Sequence, residues 1–302
     1  MKSTTSLELA ETRGRSELHT LKNIFKKSNI GTLIFFLLNA SLLMMLFSGG
    51  GRDTLIVVFF VYVASILLAF SPFGEWMLCF FVGAKKMVRA DMQARMIPLL
   101  DTVVINAKRK TPEFTLDVNL KVIYTPDPAA YAIGRRTICV TEGLFRLPDN
   151  LILGILSHEV AHLAKGHNDI QTAIGGGNFI ITILIFLVKA FSIIVAAVSI
   201  IQAFRQRSLL TAVAGILFAG LIWMWTAFCK LFLRWSMRAN EYEADAYAVD
   251  LGYGYELAEW IDSNVMGVPQ DPFLKALFSA HPNGHERIAK IQAMGVPYSS
   301  YT

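Results

Sequence analysis

Residues 149–167 read DNLILGILSHEVAHLAKGH, and this stretch decides the plan of the chain. The apolar residues of its first half recur at helical spacing: Leu151, Ile152, Ile155 and Leu156. Asp149 is a suitable N-cap, and Gly166 supplies the stop signal of a helix. The sequence therefore predicts one helix, buried along one side, with residues 158–162 inside it.

The residues inside this predicted helix form the pattern HExxH. Positions i and i+4 share one helix face, so His158 and His162 can direct their imidazoles at a single point. Two histidines at this spacing, with Glu159 next to the first, are the pattern by which a helix holds a zinc ion beside a general base. We therefore expect His158 and His162 to bind the metal. Glu159 is expected to take a proton from water and pass it to the leaving amine.

The composition of the chain is too apolar for an ordinary soluble domain. Of its 302 residues, 54% are hydrophobic and only 17% are charged, and the mean hydropathy is +0.47. Four long stretches contain almost no charged residue: 30–47, 54–74, 174–203 (interrupted by Lys189) and 209–229. Each is close to, or longer than, the ~20 residues that a spanning helix needs. The sequence predicts four transmembrane helices in two hairpins with short turns.

Basic residues suggest which side of the membrane the polar regions occupy. They flank both ends of the first predicted hairpin: Lys22, Lys26, Lys27, Lys85, Lys86 and Arg89. The positive-inside rule places such ends in the cytoplasm, although Arg205 and Arg207 in the second turn count against this orientation. Because the net charge of +5 is concentrated beside apolar segments, we expect the lipid bilayer as partner and no nucleic acid. The prediction is a multi-pass protein of an inner or plasma membrane with its active site facing the cytoplasm.

The domain plan alternates polar and membrane regions. It comprises a polar tail (1–29), a first hairpin (30–84), a first catalytic part (85–173), a second hairpin (174–229) and a second catalytic part (230–302). The first catalytic part is predicted to contain a helix near 85–110 and strands at 120–124 and 137–141, and the second part helices near 230–251 and 284–294. The fold class is therefore a mainly α membrane protein with a zincin-like α+β catalytic domain and a small β-sheet.

The later of the two predicted strands is the expected substrate-binding strand. It consists of Thr137, Ile138, Cys139, Val140 and Thr141 and shortly precedes the HExxH helix. An extended peptide can add to the edge of a strand through main-chain hydrogen bonds. We therefore expect the substrate to pair with these five residues.

A catalytic zinc usually takes three protein ligands, so HExxH is an incomplete site. The metzincin pattern HExxHxxGxxH fails because Lys165 and Asn168 occupy the positions of the glycine and the last histidine. An intramembrane site is disfavoured because polar residues follow the motif directly. A glutamate from a second helix remains, and the best candidate is Glu241.

Three further residues bear on the choice of the third metal ligand. Asp245 lies one turn after Glu241 on the same helix face and can orient a ligand from behind. Glu243 is the rival third ligand. His167 lies beyond the helix stop, and we expect it to be turned away from the metal.

Several segments resemble the HtpX-type membrane metalloproteases and their relatives, the CAAX prenyl endopeptidases: residues 127–132 (DPAAYA), 137–145, 158–162, 241–245, and the pairs His281-Pro282 and Arg287-Ile288. The resemblance covers most of the chain after residue 30. It implies that Glu241 of the ExxxD motif is the third zinc ligand. It also implies that His281 and Arg287 bind the scissile carbonyl as it becomes an oxyanion. HtpX-like chains usually have Asn-Ala-Phe-Ala where this chain has residues 129–132 (AAYA), so the resemblance does not carry over any contact that this asparagine makes to the substrate.

These observations predict a membrane-integrated endopeptidase with one catalytic Zn²⁺ that degrades misfolded or surplus membrane proteins. One alternative is a CAAX-type processing protease, although relatives with a large chamber carry more than four spanning helices. The other is a catalytically silent membrane scaffold with a structural zinc. Glu159 argues against the scaffold, because a structural site needs no general base. Composition and motifs predict no particular oligomeric state.

Overall fold

The computed structural model describes residues 26–69, 71–167, 179–206, 208–264 and 284–299. The helices are α1 (Ile30–Leu46), α2 (Gly51–Ala69), α3 (Pro72–Phe81), α4 (Ala90–Lys110), α5 (Asp149–Lys165), α6 (Phe179–Gln206), α7 (Leu209–Asp250), α8 (Gly254–Asn264) and α9 (Gly284–Ala293). The strands are β1 (Lys85–Lys86), β2 (Asn119–Ile123), β3 (Ala130–Ile133) and β4 (Thr137–Thr141). The mainly helical fold with a small sheet is thus confirmed.

Four of the helices are long and apolar enough to cross a membrane: Lys27–Leu46, Ser48–Ala69, Thr182–Gln206 and Leu209–Asp250. They coincide with the four apolar stretches of the sequence, except that residues 174–178 lie outside the described part. Their large apolar side chains point outward, such as Phe60 at 64% and Phe186 at 69% exposure. Soluble proteins rarely expose continuous surfaces of this kind, whereas lipid would cover them.

The second candidate span runs to Ala69, whereas the apolar stretch of the sequence continues to residue 74. Ser71 begins a new helix instead, because its hydroxyl accepts a hydrogen bond from Gly74 N at 3.3 Å and Pro72 occupies the first turn. Proline suits that position, since it has no N–H to leave unpaired there.

Helix α7 joins two elements that the sequence analysis separates. The expected break near residue 230 does not occur, and one helix of 42 residues runs from Leu209 to Asp250. Its length of roughly 63 Å is about twice the ~30 Å of a bilayer core. The helix that is expected to cross the membrane therefore continues directly into the segment with Glu241.

Helix α1 is fastened to this continuation of α7. Thr32 N donates to Ser236 Oγ at 2.9 Å, and Asn240 Nδ2 donates to Asn29 Oδ1 at 3.1 Å. A Cβ on Gly31 would lie 2.2 Å from Phe232 O, so only glycine permits this approach. The N-terminal end of the first span thus packs against the part of α7 that directly precedes Glu241.

The sheet has the strand order β1-β2-β4-β3, with β2 parallel to β4 and both outer pairs antiparallel. Strands β2 and β4 match the two predicted strands to within a residue, whereas β1 and β3 were not predicted. The expected substrate strand is corrected: β4 pairs with β2 on one side and with β3 on the other, so its backbone offers no edge to a peptide. All five of its residues are also buried: Thr137, Ile138, Cys139, Val140 and Thr141.

Helix α5 lies at the centre of the polar half of the protein. It packs against α4, α7, α8 and β3, and every residue from Gly154 to Ala164 is buried. The helix spans Asp149–Lys165 as predicted, with Gly166 in the left-handed conformation at φ 69°. Asp149 is the first helical residue rather than the N-cap, and it accepts a hydrogen bond from Arg95 Nε at 2.8 Å. The HExxH motif is therefore held in the core of the fold.

Candidate metal centre

Three side chains from two helices converge in the polar half of the protein. His158 and His162 of α5 approach each other to 3.1 Å between their Nε2 atoms. The Glu241 carboxylate of α7 lies 3.4 Å from His158 Nε2 through Oε2 and 3.3 Å from His162 Nε2 through Oε1. All three side chains are buried, and together they form a group that can hold a metal ion.

The spacing of these atoms suits a divalent ion. Two ligand atoms ~2.1 Å from a tetrahedral ion are about 3.4 Å apart, which is close to the three separations in this group. Two imidazoles and one carboxylate are also a known donor set of catalytic zinc sites, which leave a fourth position open. The residues present therefore fit a zinc-sized ion.

The electrostatics around His158 favour positive charge. Burial and the charge of Arg287 lower the pKa of His158, but the hydrogen bonds and charges of Asp245 and Glu241 outweigh them and raise it to about 10. The pKa is raised because the carboxylates of Asp245 and Glu241 lie 2.9 and 3.4 Å from the His158 ring. The same carboxylates attract a metal cation that replaces the proton.

Asp245 and Arg287 form a buried ion pair behind His158. Arg287 donates from Nε to Asp245 Oδ2 at 2.8 Å and from Nη2 to Oδ1 at 2.6 Å. Asp245 Oδ1 lies 2.9 Å from His158 Nδ1, closer than Arg287 Nη2 at 3.3 Å. A histidine that faces a metal through Nε2 carries its proton on Nδ1, so the contact with Asp245 is the hydrogen bond. Arg287 also reaches toward the ligands, with Nη1 3.7 Å from Glu241 Oε2.

Glu159 follows His158 on α5, and its side chain contacts the outer strand β3 of the sheet. Its Oε2 accepts a hydrogen bond from Ala132 N of β3 at 2.7 Å, and the side chain is buried. Among the described residues, no strand pairs with the other edge of β3. The expected general base is thus hydrogen-bonded to the backbone of β3, an outer strand of the described sheet. His281, the other expected catalytic residue, lies outside the described residues.

The two other candidate residues, Glu243 and His167, contact each other behind His162. The rival ligand Glu243 points away from the ligand group, with Oε2 3.1 Å from His167 Nε2 and Oε1 3.6 Å from Lys26 Nζ. His167 is fully buried, and its Nδ1 lies 3.1 Å from Nδ1 of His162. Burial lowers the pKa of His167 to about 4, although Glu243 opposes the effect. His167 is therefore not part of the ligand group, in line with the expectation, but it lies against the far side of His162 rather than in solvent.

A sequence signal for His167 does exist. When a helix ends at a left-handed glycine, the second residue past the end folds back onto the last turn. Gly166 N donates to the carbonyl oxygens of His162 and Leu163, as this motif requires. The turn therefore returns His167 to His162 instead of carrying it into solvent.

Residues 90–295 match the family described as Peptidase family M48, and this range contains HExxH, Glu241, Asp245 and Arg287. The chain is 25% identical over 260 residues to the Protease HtpX homolog of Janthinobacterium sp. (strain Marseille), an alignment that covers 77% of this chain and 81% of that protein. Both findings agree with the resemblance seen in the motifs. The chain therefore belongs to peptidase family M48, as an HtpX-type member.

Proposed function

We propose that this protein is a membrane-integrated zinc endopeptidase whose active site faces the cytoplasm and cleaves misfolded or surplus membrane proteins. The observation that carries the proposal is the convergence of His158, His162 and Glu241, with Glu159 beside them. Bound zinc supplies a Lewis acid that activates water and polarises the scissile carbonyl. The other steps fall to side chains of the chain itself.

Glu159 is the proposed general base. Its carboxylate takes a proton from the attacking water and passes it to the nitrogen of the leaving amine. The hydrogen bond from Ala132 N holds Oε2, which orients the carboxylate relative to the ligand group. Its buried surroundings limit access of bulk water to the proton that it carries.

The substrate is proposed to bind along β3 rather than β4. An extended peptide that adds to the outer edge of β3 gains main-chain hydrogen bonds and runs past Glu159. This placement brings a scissile bond next to the base and the metal ligands. It also depends little on substrate sequence, which suits an enzyme that cleaves many unfolded chains.

Arg287 and His281 are the proposed stabilisers of the oxyanion, a role that rests on the family resemblance. The position of Arg287 Nη1, 3.7 Å from Glu241, is compatible with charge next to the reacting carbonyl. Donors placed where negative charge develops are worth about 3–4 kcal/mol each in such sites. Asp245 is the proposed residue that orients His158.

Proximity to the membrane supports the choice of substrate. Glu241 lies about 18 Å along α7 from the end of the apolar stretch at residue 229. A segment that emerges from the bilayer can therefore reach the site without unfolding of the enzyme. The proposed two-hairpin topology, with basic residues such as Lys85 and Lys86 on the cytoplasmic side, places this region inside the cell.

The general base provides the direct test. Purified full-length Glu159→Gln protein should keep its zinc and cleave an unfolded protein about 10²- to 10⁴-fold more slowly than wild type. Glu142→Gln is the matched control, because Glu142 is an exposed glutamate paired with Arg89. Cleavage by Glu159→Gln at the wild-type rate, with zinc bound, would refute the proposed mechanism.

The substrate class has a separate test. Cells that express Glu159→Gln should accumulate uncleaved membrane proteins bound to the enzyme, and these can be identified by affinity purification and mass spectrometry. Wild type and Glu142→Gln should not retain them. Recovery of soluble proteins alone would argue against membrane proteins as substrates.

A further inference from the structure

The two histidine ligands face the metal position through Nε2, and each has a different partner at Nδ1. His158 Nδ1 contacts Asp245 at 2.9 Å, whereas His162 Nδ1 contacts His167 at 3.1 Å. A neutral imidazole carries only one N–H, and a ligand that binds through Nε2 must carry it on Nδ1. The partner at Nδ1 therefore has to be a hydrogen-bond acceptor.

An imidazole is an acceptor only when its other nitrogen holds the proton. His167 is fully buried, and its Nε2 lies 3.1 Å from Glu243 Oε2. An ionised carboxylate can only accept, so His167 Nε2 donates to Glu243. This leaves a lone pair on His167 Nδ1, which accepts the Nδ1–H of His162. The lone pair of His162 Nε2 is then directed at the metal.

Two lysines lie near the carboxylate of Glu243, the last residue in this series of contacts. Lys26 Nζ lies 3.6 Å from Glu243 Oε1, and Lys165 Nζ lies 3.9 Å from the same oxygen. Lys26 also donates to the carbonyl oxygen of Lys165 at 3.2 Å. The chain of contacts thus extends from the ligand to the residue that directly precedes the first candidate span.

We propose that His167 and Glu243 are positioning residues that set the tautomer and orientation of His162, so that it presents Nε2 to the metal. The inference rests on the proposed metal site. It assigns Glu243, the rival ligand of the sequence analysis, a role behind His167, two contacts away from the ligand His162. Replacement of such outer partners typically costs about 10- to 100-fold in metal affinity.

The test measures zinc affinity of the full-length protein in detergent by competition with a chromophoric chelator. His167→Phe should bind zinc about 10- to 100-fold more weakly than wild type. His167→Gln should recover most of the loss, because its amide can accept from His162 and donate to Glu243. A merely space-filling role of His167 would give the opposite order, since phenylalanine is closer to histidine in shape.

Glu243 is tested in the same assay. Glu243→Ala should weaken zinc binding about 10-fold, whereas the control Glu142→Ala should leave it unchanged. Because Glu243 acts through His167, the double variant His167→Phe/Glu243→Ala should bind no more weakly than His167→Phe alone. Glu243 is half-exposed, so its removal keeps the test valid if His167→Phe fails to fold.

The outcomes separate the two proposals. Wild-type affinity in Glu243→Ala, additive losses in the double variant, or equal losses in His167→Gln and His167→Phe would each overturn the positioning role alone. A wild-type protein that binds no zinc would overturn the proposed function, and the positioning role with it.

Discussion

The two histidines that are proposed to bind the metal are four residues apart on one helix, yet their Nδ1 atoms have different partners. His158 contacts the carboxylate of Asp245, which is 1% exposed and forms an ion pair with the buried Arg287. His162 contacts the imidazole of His167. The carboxylate that contacts His167 on its other side belongs to Glu243, which is 31% exposed. The His158 side is thus built from charges in the interior, and the His162 side from a neutral ring with a charge at the surface.

Because of this difference, substitutions on the two sides should affect zinc affinity and folding stability to different extents. A charge buried without its partner is costly, so the His158 side contributes to folding as well as to the metal site. On the His162 side, Glu243 and Lys26 are partly exposed, so solvent can stabilise the charge of the one that remains when the other is removed. Variants on the two sides should therefore fail in different measurements.

The largest effect is expected for the ligand that both sides share. Glu241→Ala removes one of three ligands, so its zinc affinity should fall by more than the roughly 100-fold upper range for outer residues. Zinc content after gel filtration in a weak chelator measures this, with Glu243→Ala as the neighbour for comparison. If Glu243→Ala lost zinc and Glu241→Ala kept it, the assignment of the third ligand would be reversed.

The His158 side should dominate folding stability. Asp245→Ala leaves Arg287 buried without its partner, which is expected to cost about 3–5 kcal/mol in the free energy of unfolding. Glu243→Ala should cost less, about 1–3 kcal/mol, because it leaves the buried Nε2–H of His167 without its acceptor but buries no unpaired charge. Denaturant unfolding of the metal-free proteins in detergent compares them. Equal losses would contradict the contrast between the two sides.

A change of pH should distinguish the two sides as well. His167 has its pKa lowered to about 4, so it stays neutral in the folded protein while an unfolded histidine gains a proton near pH 6.5. Stability of the metal-free protein should therefore fall as pH drops from about 6.5 to 4, by about 3 kcal/mol from this residue. His158 has a raised pKa, and its contribution is kept below pH 6.5 and lost as pH rises toward 10.

The measurement is the unfolding free energy of the metal-free protein at pH 4, 5.5 and 7. His167→Gln should flatten the acid side of the curve relative to wild type, because the amide does not titrate. An unchanged slope between pH 6.5 and 4 in His167→Gln would show that other groups cause the acid sensitivity.

The smallest effect is expected at the outer end of the His162 side. Lys26→Met removes one of the two lysines near Glu243, and Lys165 remains. Zinc affinity should fall by no more than about 3-fold and stability by less than about 1 kcal/mol, as for other solvent-screened pairs. Chelator competition and unfolding measure both. A loss as large as that of His167→Phe would make Lys26 a central part of the metal site.

The sequence predicted the parts of the site that depend on helical spacing. His158, Glu159 and His162 follow from one local pattern, and Glu241 and Asp245 from another, because i and i+4 share a helix face wherever the helix lies. The sequence analysis failed where a feature depends on which strands pair with each other. Nothing in residues 137–141 tells that β4 is central, since β3 supplies the second partner and its sequence AYAI lacks polar alternation.

The four apolar spans, the HExxH helix and its glycine stop follow from the sequence alone, because composition and short-range spacing act within one element. The fold was needed to see that α7 runs unbroken from the apolar span to Glu241, that Asn29 and Asn240 meet across 211 positions, and that Glu243 reaches His167 across 76. These contacts join elements distant in sequence. Their geometry depends on how helices pack, which no local pattern encodes.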